Sequence, residues 1–332
     1  MRETPSAASG ANDRLRVADL PRALVLGCNG QDGSYLVEHL LRRGYQVAGV
    51  SRQPQAAYRF AGEAFRYVSL DLRHADGLSK LLETLRPRFI FHVAAVHGEA
   101  GSRYEPIWQD MLAVNVGATH VCLEYLRTQC PDGGLVYAGS CKTFGPVYPR
   151  VVTERSRQTS PCLYSVTKNA SRDLIDVYRR DHATRASVLH LFNHESERRA
   201  ASFFIPTLVS ALHRALQDKG HRVEVATLRF YCDWGSAEEY MDIAIDVAER
   251  ALGEDFILAT GHTRSGENLA KELFARHGLD HRAHLIERLV PNETARPFRA
   301  SVGKLETMLG RTPAVGIVEV CEKISAALTH KR

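Results

Sequence analysis

The sequence has no apolar run long enough to cross a bilayer, and its first twenty residues lack the continuous apolar core of a signal peptide. Its seven cysteines include no Cys-x-x-Cys pair, so they provide neither a disulfide framework nor a zinc site. The fifteen histidines, among them His92, His97, His190 and His194, form no convincing ligand grouping, and no metal is expected. There is no compact basic block interleaved with aromatics, no internal repeat and no Pro-rich linker. These absences argue against membrane, nucleic-acid-binding and disulfide-stapled classes. A net charge of +5, spread along 332 residues, suits small anionic nucleotides better than a polyanion. That length can hold one large α/β core and a smaller lobe.

Ala23-Leu24-Val25-Leu26 reads as a buried strand, followed at once by Gly27-Cys28-Asn29-Gly30-Gln31-Asp32-Gly33. Ser34 to Arg43 then places Leu36, Val37, Leu40 and Leu41 at helical spacing, closed by Gly44. Strand, glycine turn and helix together predict a pyrophosphate loop, because glycines allow close backbone approach and the helix N-terminus attracts negative charge. The next strand, Gln46 to Val50, ends in Ser51-Arg52 with no acidic residue. A carboxylate there would repel a ribose 2′-phosphate, whereas Arg52 offers a planar cationic donor, so NADP is expected over NAD.

Tyr67 to Leu70, ending at Asp71, is the third strand, and Asp71 is a candidate partner for the adenine amino group. Phe89 to Val93 follows, ending in the small pair Ala94-Ala95, and then a helical pattern carries Asn115. Leu135 to Ala138 leads to Gly139-Ser140. The alternation predicts an α/β, Rossmann-type doubly wound parallel sheet with ligands at the strands' carboxyl ends. Tyr164-Ser165-Val166-Thr167-Lys168 adds a phenol and an ammonium on one helix face. A cation ~4 Å away at an effective dielectric of ~20 contributes about 4 kcal/mol, or roughly three pKa units, which brings a phenolate within reach near neutral pH.

With these motifs the chain resembles the extended short-chain dehydrogenase/reductases, and among them the GDP-mannose 4,6-dehydratases. The similar stretches are Gly30-Gln31-Asp32-Gly33-Ser34-Tyr35-Leu36, Leu191-Phe192-Asn193-His194-Glu195-Ser196 with Arg198-Arg199, and Asp233-Trp234-Gly235 with Glu239-Tyr240. Ala259-Thr260-Gly261 and Arg296-Pro297 are weaker echoes. The resemblance implies a cytoplasmic homodimer or homotetramer that modifies a nucleotide-diphosphate sugar, GDP-linked, with tightly held NADP. It implies that Ser140 holds the sugar's 4-hydroxyl while Tyr164, aided by Lys168, takes its proton. Water would then leave across C5 and C6 and the hydride would return to C6.

The implied cofactor contacts are Gly27, Asn29, Gly30, Gln31, Asp32, Gly33, Arg52, Asp71, Leu72, Ala94, Ala95, Asn115, Tyr164, Lys168, Leu191, Asn193, His194 and Arg199. The implied substrate contacts are Glu99, Ser140, Asn193, Arg198, Arg229 and Arg296. The implied layout is a flexible tail over 1–20, a dinucleotide domain over 21–193 and 254–262, and a substrate lobe over 194–253 and 263–332.

Two departures stand out. The family's Thr-Ser-Glu becomes Ser140-Cys141-Lys142, so the carboxylate that serves C5 and O6 is gone, and none occurs between Asp132 and Glu154. Lys142 replaces it only if burial beside Lys168 strips its proton, with Cys141 as a candidate acid. The inverting UDP-N-acetylglucosamine 4,6-dehydratases place a lysine in a similar loop. Lys142 as a surface cation and Cys141 as a packing residue are the structural alternatives. Cys232 stands where the family has an arginine before Asp-Trp-Gly. An epimerase or ketoreductase on the same scaffold, needing no elimination, is therefore the competing expectation, and a nucleotide sensor on an inactive scaffold is the third.

Overall fold

The computed structural model describes residues 20–98, 103–250, 253–288 and 295–330. Most of the expected N-terminal tail, and Glu99, lie outside the described residues. The first half runs β1 (Arg22–Leu26), α1 (Gln31–Arg42), β2 (Gln46–Ser51), β3 (Phe65–Ser69), α2 (Ala75–Leu85), β4 (Phe89–His92), α3 (Trp108–Met111), a π-helical stretch at Leu112–Gly117, α4 (Ala118–Gln129) and β5 (Gly134–Ala138). Next come β6 (Val151–Val152), α5 (Leu163–His182), β7 (Ala186–Leu191), β8 (Asn193–Glu195), α6 (Phe204–Gln217), β9 (Val223–Val225), β10 (Tyr231–Ser236), α7 (Ala237–Arg250) and β11 (Phe256–Leu258). The chain finishes with β12 (Thr263–Ser265), α8 (Gly266–Ala275), α9 (His281–His284), β13 (Leu285–Glu287), β14 (Arg299–Ala300), α10 (Gly303–Leu309) and α11 (Ile317–His330).

Seven strands form one sheet in the order β11-β7-β5-β4-β1-β2-β3, and every pairing is parallel. The chain winds one way from β1 to β3 and the other way from β4 onward, so a crevice opens between the carboxyl ends of β1 and β4. Helices cover both faces, which is why these strands are apolar throughout rather than alternating. One face packs against α2, α4 and α5 through Leu78, Leu82, Leu123 and Ile175. The other packs against α1 and α7 through Leu36, Leu40, Met241 and Ile245.

That second layer redraws the expected lobe boundary. Residues 237–250 were assigned to the lobe, yet α7 lies in the sheet's own core, as do Leu305 and Leu309 of α10. An amphipathic helix such as α7, with Tyr240, Met241 and Ile245 beside Glu238, Asp242 and Glu249, buries its apolar face in whichever core is nearest, and sequence order does not decide which. A separate core joins Ile205, Leu208, Trp234, Phe274 and Val320 of α6, β10, α8 and α11. Asp233 links this region to the exit of β11, its carboxylate accepting from Thr260 N and Oγ1, both at 2.8 Å.

The glycine loop after β1 is fixed by steric necessity. Gly27 has φ +99, and a Cβ there would sit 2.8 Å from Ala94 N, at the end of β4. A Cβ on Gly33 would overlap the Gly27 carbonyl and stand 2.7 Å from Cys28 Cα. α1 consequently begins at Gln31, three residues before the expected Ser34, because the loop turns directly into it. Gly33→Ala is expected to cost about 1–3 kcal/mol, since backbone rather than a flexible side chain would have to move; urea denaturation of the cofactor-free protein measures it.

Candidate active site

α5 starts with a capping box in which Cys162 and Ser165 exchange contacts, and this places Tyr164 in the first turn and Lys168 one turn on. The Lys168 ammonium is 2% exposed, donates to the Ala138 carbonyl at 2.7 Å, and lies 5.6 Å from the Tyr164 ring centroid and 4.6 Å from that of Tyr137. Burial lowers its pKa to about 7, opposed by the nearby Asp32 carboxylate. Ser140, at the end of β5, sets its hydroxyl beside the Tyr164 phenol, where it favours the phenolate. The phenol does not meet the expectation of ionising near neutral pH. Burial first, then Tyr137, raises its pKa well above the ordinary value, and the Ser140 hydroxyl offsets only part of this.

Asn115 supports this helix from the π-helical turn. Its amide binds both polar groups of Val96 and the Thr167 hydroxyl, while its carbonyl accepts from Ser171. Expected as a cofactor contact, it is a brace between the loop after β4 and the tyrosine helix.

The two most specific sequence stretches meet each other. His194 donates through Nδ1 to the Phe192 carbonyl at 2.7 Å and through Nε2 to the Asp32 carboxylate at 3.0 Å, so both ring nitrogens carry protons. Burial opposes that charge, but Asp32 outweighs it and raises the imidazole pKa. Asp32, despite its own burial, is held at about 2 by His194. Gln31 closes the lock, donating to the His194 carbonyl and accepting from Ser196. Arg198 extends it, reaching Ser34 at 2.9 Å and Glu38 at 2.6 Å while covering the Tyr35 ring. Gln31, Asp32 and His194 therefore shape the phosphate loop by gripping one another. Arg198, expected on the substrate, clamps α1 because Glu38 offers a closer charge partner.

Other expected contacts divide similarly. Asn29 ties the loop to the Gln55 carbonyl and Ala57 amide, each at 2.9 Å. Arg73 takes both oxygens of Asp71, leaving that carboxylate engaged rather than offered to adenine. Leu72 and Leu191 are buried packing residues, and Ala94 and Ala95 are half-buried at the sheet's edge. Arg52 is exposed and has no partner among the described residues. Asn193 is exposed and accepts a long contact from Cys141 Sγ at 3.9 Å. Arg229 is an exposed partner of Glu287, and Arg296 is exposed.

The Cys141-Lys142 pair also departs from expectation. Cys141 is buried among Phe144, Val152 and Phe192, and burial raises its thiol pKa, so it packs rather than donates to a sugar. Lys142 is exposed, not buried beside Lys168, with its ammonium 5.7 Å from the Tyr164 ring centroid. It borders a cleft of about 360 Å³ with Tyr104, Gly145, Pro146, Tyr148, Pro161 and Cys162. A second cleft, on the Arg22, Gln46 and Pro87 side of the sheet, holds none of these residues.

Three further residues at the site carry no role that the sequence alone assigns. His97 presents its ring edge to Tyr164, centroids 6.2 Å apart, and Tyr104 stacks on Tyr164 at 6.5 Å. Their position on the loop after β4 was the available signal. Glu195, 2% exposed, pairs with Arg199 at 3.5 Å, but neither its Oε2 nor Arg199 Nε has a hydrogen-bond partner among the described residues. Arg199 also stacks on Phe203, its guanidinium 3.7 Å from the ring centroid. No cluster of three or more metal-binding side chains occurs among the described residues, nor any helix long and apolar enough to cross a membrane.

The glycine cradle that a Cβ would fill, opening at the helix N-terminus between β1 and β4, fits a dinucleotide pyrophosphate. The model of the family described as GDP-mannose 4,6 dehydratase matches residues 24–323. The chain belongs to that family. GDP-mannose 4,6 dehydratase 1 of Arabidopsis thaliana is 27% identical over 317 residues, covering 89% of this chain and 86% of the plant protein. GDP-mannose 4,6-dehydratase sdnI of Sordaria araneosa is 28% identical over 258 residues, and this chain spans about half of its length (47%) and is covered over 76% of its own. Among solved structures, a putative epimerase from Burkholderia cenocepacia J2315 superimposes with a TM-score of 0.79 at 21% identity, over 93% of this chain and 98% of that one. The dTDP-glucose 4,6-dehydratase of Bacillus anthracis, solved with NAD, gives 0.78 at 15% identity, over 94% and 97%. The fold is thus shared by dehydratases and an epimerase, while the family assignment comes from sequence.

Burial holds the Glu195 carboxyl up at about 7, against a free value near ~4.3. Between these values the folded protein keeps a proton that the unfolded chain releases, so stability falls as pH rises through that window, by about 2–4 kcal/mol. Glu195→Gln is expected to flatten this slope in urea denaturation of the cofactor-free protein between the two values.

Proposed function

We propose that the chain is a nucleotide-sugar 4,6-dehydratase that uses NADP without net consumption and acts on a GDP-linked hexose. The observation that carries this is Tyr164 beside Ser140 at the carboxyl end of β5, one helical turn from a buried Lys168. NADP, when bound, supplies a hydride acceptor for C4 and a hydride donor for C6. The residues that would hold it are Gly27, Gly30 and Gly33 through backbone, with Arg52 as the cation that would take a 2′-phosphate and Ala94 and Ala95 as the small residues that would admit the dinucleotide.

The chain's own side chains divide the proton work. Ser140 and Tyr164 bracket the sugar's 4-hydroxyl, Ser140 orienting it and Tyr164 taking its proton. In the cofactor-free protein the phenol keeps its proton, because burial disfavours the anion more than Ser140 favours it. A positive charge arriving beside the ring shifts that balance, confining proton removal to the loaded site. Lys168 relays the proton outward, its own pKa of about 7 being matched to neutral operation. Lys142, exposed at the cleft, is a cationic contact for the substrate.

An epimerase or 4-ketoreductase is the second reading, favoured by one observation. No carboxylate stands at or near position 142. Proton NMR in heavy water with GDP-mannose as substrate separates the readings. A dehydratase gives a 4-keto-6-deoxy sugar carrying deuterium at C5 without added NADPH, a 4-epimerase exchanges no carbon-bound proton, and a ketoreductase leaves GDP-mannose unchanged and consumes NADPH only with a 4-keto sugar.

Tyr164→Phe is expected to lower kcat by about 10²–10⁴ while leaving nucleotide-sugar binding intact by calorimetry. Arg52→Ala is expected to weaken NADPH about tenfold, roughly 1.4 kcal/mol, and to leave NADH affinity unchanged in fluorescence titration.

A further inference from the structure

The elimination assigned above needs a group that takes a proton from C5 and gives one to the departing oxygen, and neither residue 141 nor residue 142 provides it. Cys141 is buried away from the cleft, and Lys142 is exposed. His97 occupies the side of Tyr164 facing the loop after β4. Its ring lies edge-on to Tyr164 and to Phe203, centroids 6.2 Å away in each case. Its Nδ1 is 3.2 Å from the Gly98 carbonyl. A carbonyl oxygen can only accept, so Nδ1 carries the proton and Nε2 presents a lone pair. Nε2 has no partner among the described residues, and the residue is open to solvent. Glu195, the buried carboxylate of this region, is paired with Arg199.

We propose that His97 is the catalytic base and acid at C5 and O6, in the place of the missing carboxylate; this rests on the dehydratase reading. Nε2 takes the C5 proton of the 4-keto sugar, whose carbonyl makes that proton acidic. The C5–H electron pair becomes the C5–C6 double bond as the C6–O bond breaks. The imidazolium gives its proton to the leaving hydroxide, so one water departs and His97 returns to the neutral form. When hydride is delivered to C6, the same nitrogen, reprotonated from solvent, supplies the proton at C5.

The surroundings keep the ring neutral between these steps. Partial desolvation comes first, followed by the positive charges of Arg199, Lys142 and Lys168, and together they hold His97 below the ordinary histidine value against the pull of the Gly98 carbonyl. A carboxylate in this place would carry a permanent negative charge. Imidazole needs none, because it abstracts as a neutral base, whereas a carboxylate abstracts as an anion.

The test uses NADP⁺-loaded protein and GDP-mannose in heavy water, following both the near-ultraviolet absorbance of reduced nicotinamide and deuterium at C5. His97→Gln is expected to develop the absorbance, showing C4 oxidation in a folded site, while C5 exchange falls by at least about a hundredfold. Added imidazole is expected to restore exchange in His97→Gly. Exchange in His97→Gln within twofold of the unaltered protein overturns the proposal. Absorbance missing from both His97→Gln and His97→Asn also overturns it, because His97 would then act before C5. Absorbance missing from the unaltered protein defeats the nucleotide-sugar reading first and this proposal with it.

Discussion

The Asp32–His194 ion pair is the constraint on which the site depends. It joins the first turn of the phosphate-loop helix to the strand that leaves the main sheet, across a sequence separation of 162 residues. His194 is buried and Asp32 is half-buried, so removing one partner leaves the other poorly compensated, at a cost of about 1–3 kcal/mol. The hydrogen bonds of Gln31 and Ser196 and the reach of Arg198 to Glu38 add to the same seam. The glycine loop cannot shift without breaking this seam, so the crevice between β1 and β4 is held ready. Asp32 also acts at a distance, as the one charge that sustains protonated Lys168 against its burial.

Charge around Tyr164 follows from that arrangement. Lys168, Lys142 and Arg199 surround a phenol and an imidazole, with no free carboxylate among the side chains that touch them. Burial pushes both the tyrosine and the lysine toward their neutral forms. Substrate and dinucleotide then bring the charges that make proton transfer favourable. Replacing an acidic side chain by Lys142 fits such a site, provided that another neutral group handles the carbon-bound proton. His97 meets that requirement through its fixed tautomer.

The parts of the fold that were legible were those governed by neighbours in sequence. Ala23 to Leu26 followed by Gly27 reads as strand and turn because apolar run length and the need for positive φ are local properties. Gly44, with φ +80, closes α1 as its position in the sequence implied. Tyr164 and Lys168 share a face because helical spacing dictates it. Placement of α7 was not legible, since the apolar face of an amphipathic helix carries no record of which core it enters.

The sequence by itself determined the order of strands and helices, the glycine cradle, and the tyrosine, serine and lysine of the candidate site. Tertiary structure alone decided what those side chains face. It turned Gln31, Asp32, His194, Arg198 and Asn115 toward protein partners, left Lys142 in solvent, buried Cys141, and brought His97 to the tyrosine. The reason is physical: backbone conformation is set over a few residues, whereas protonation and partner choice depend on desolvation and on charges that only folding brings within a few ångströms.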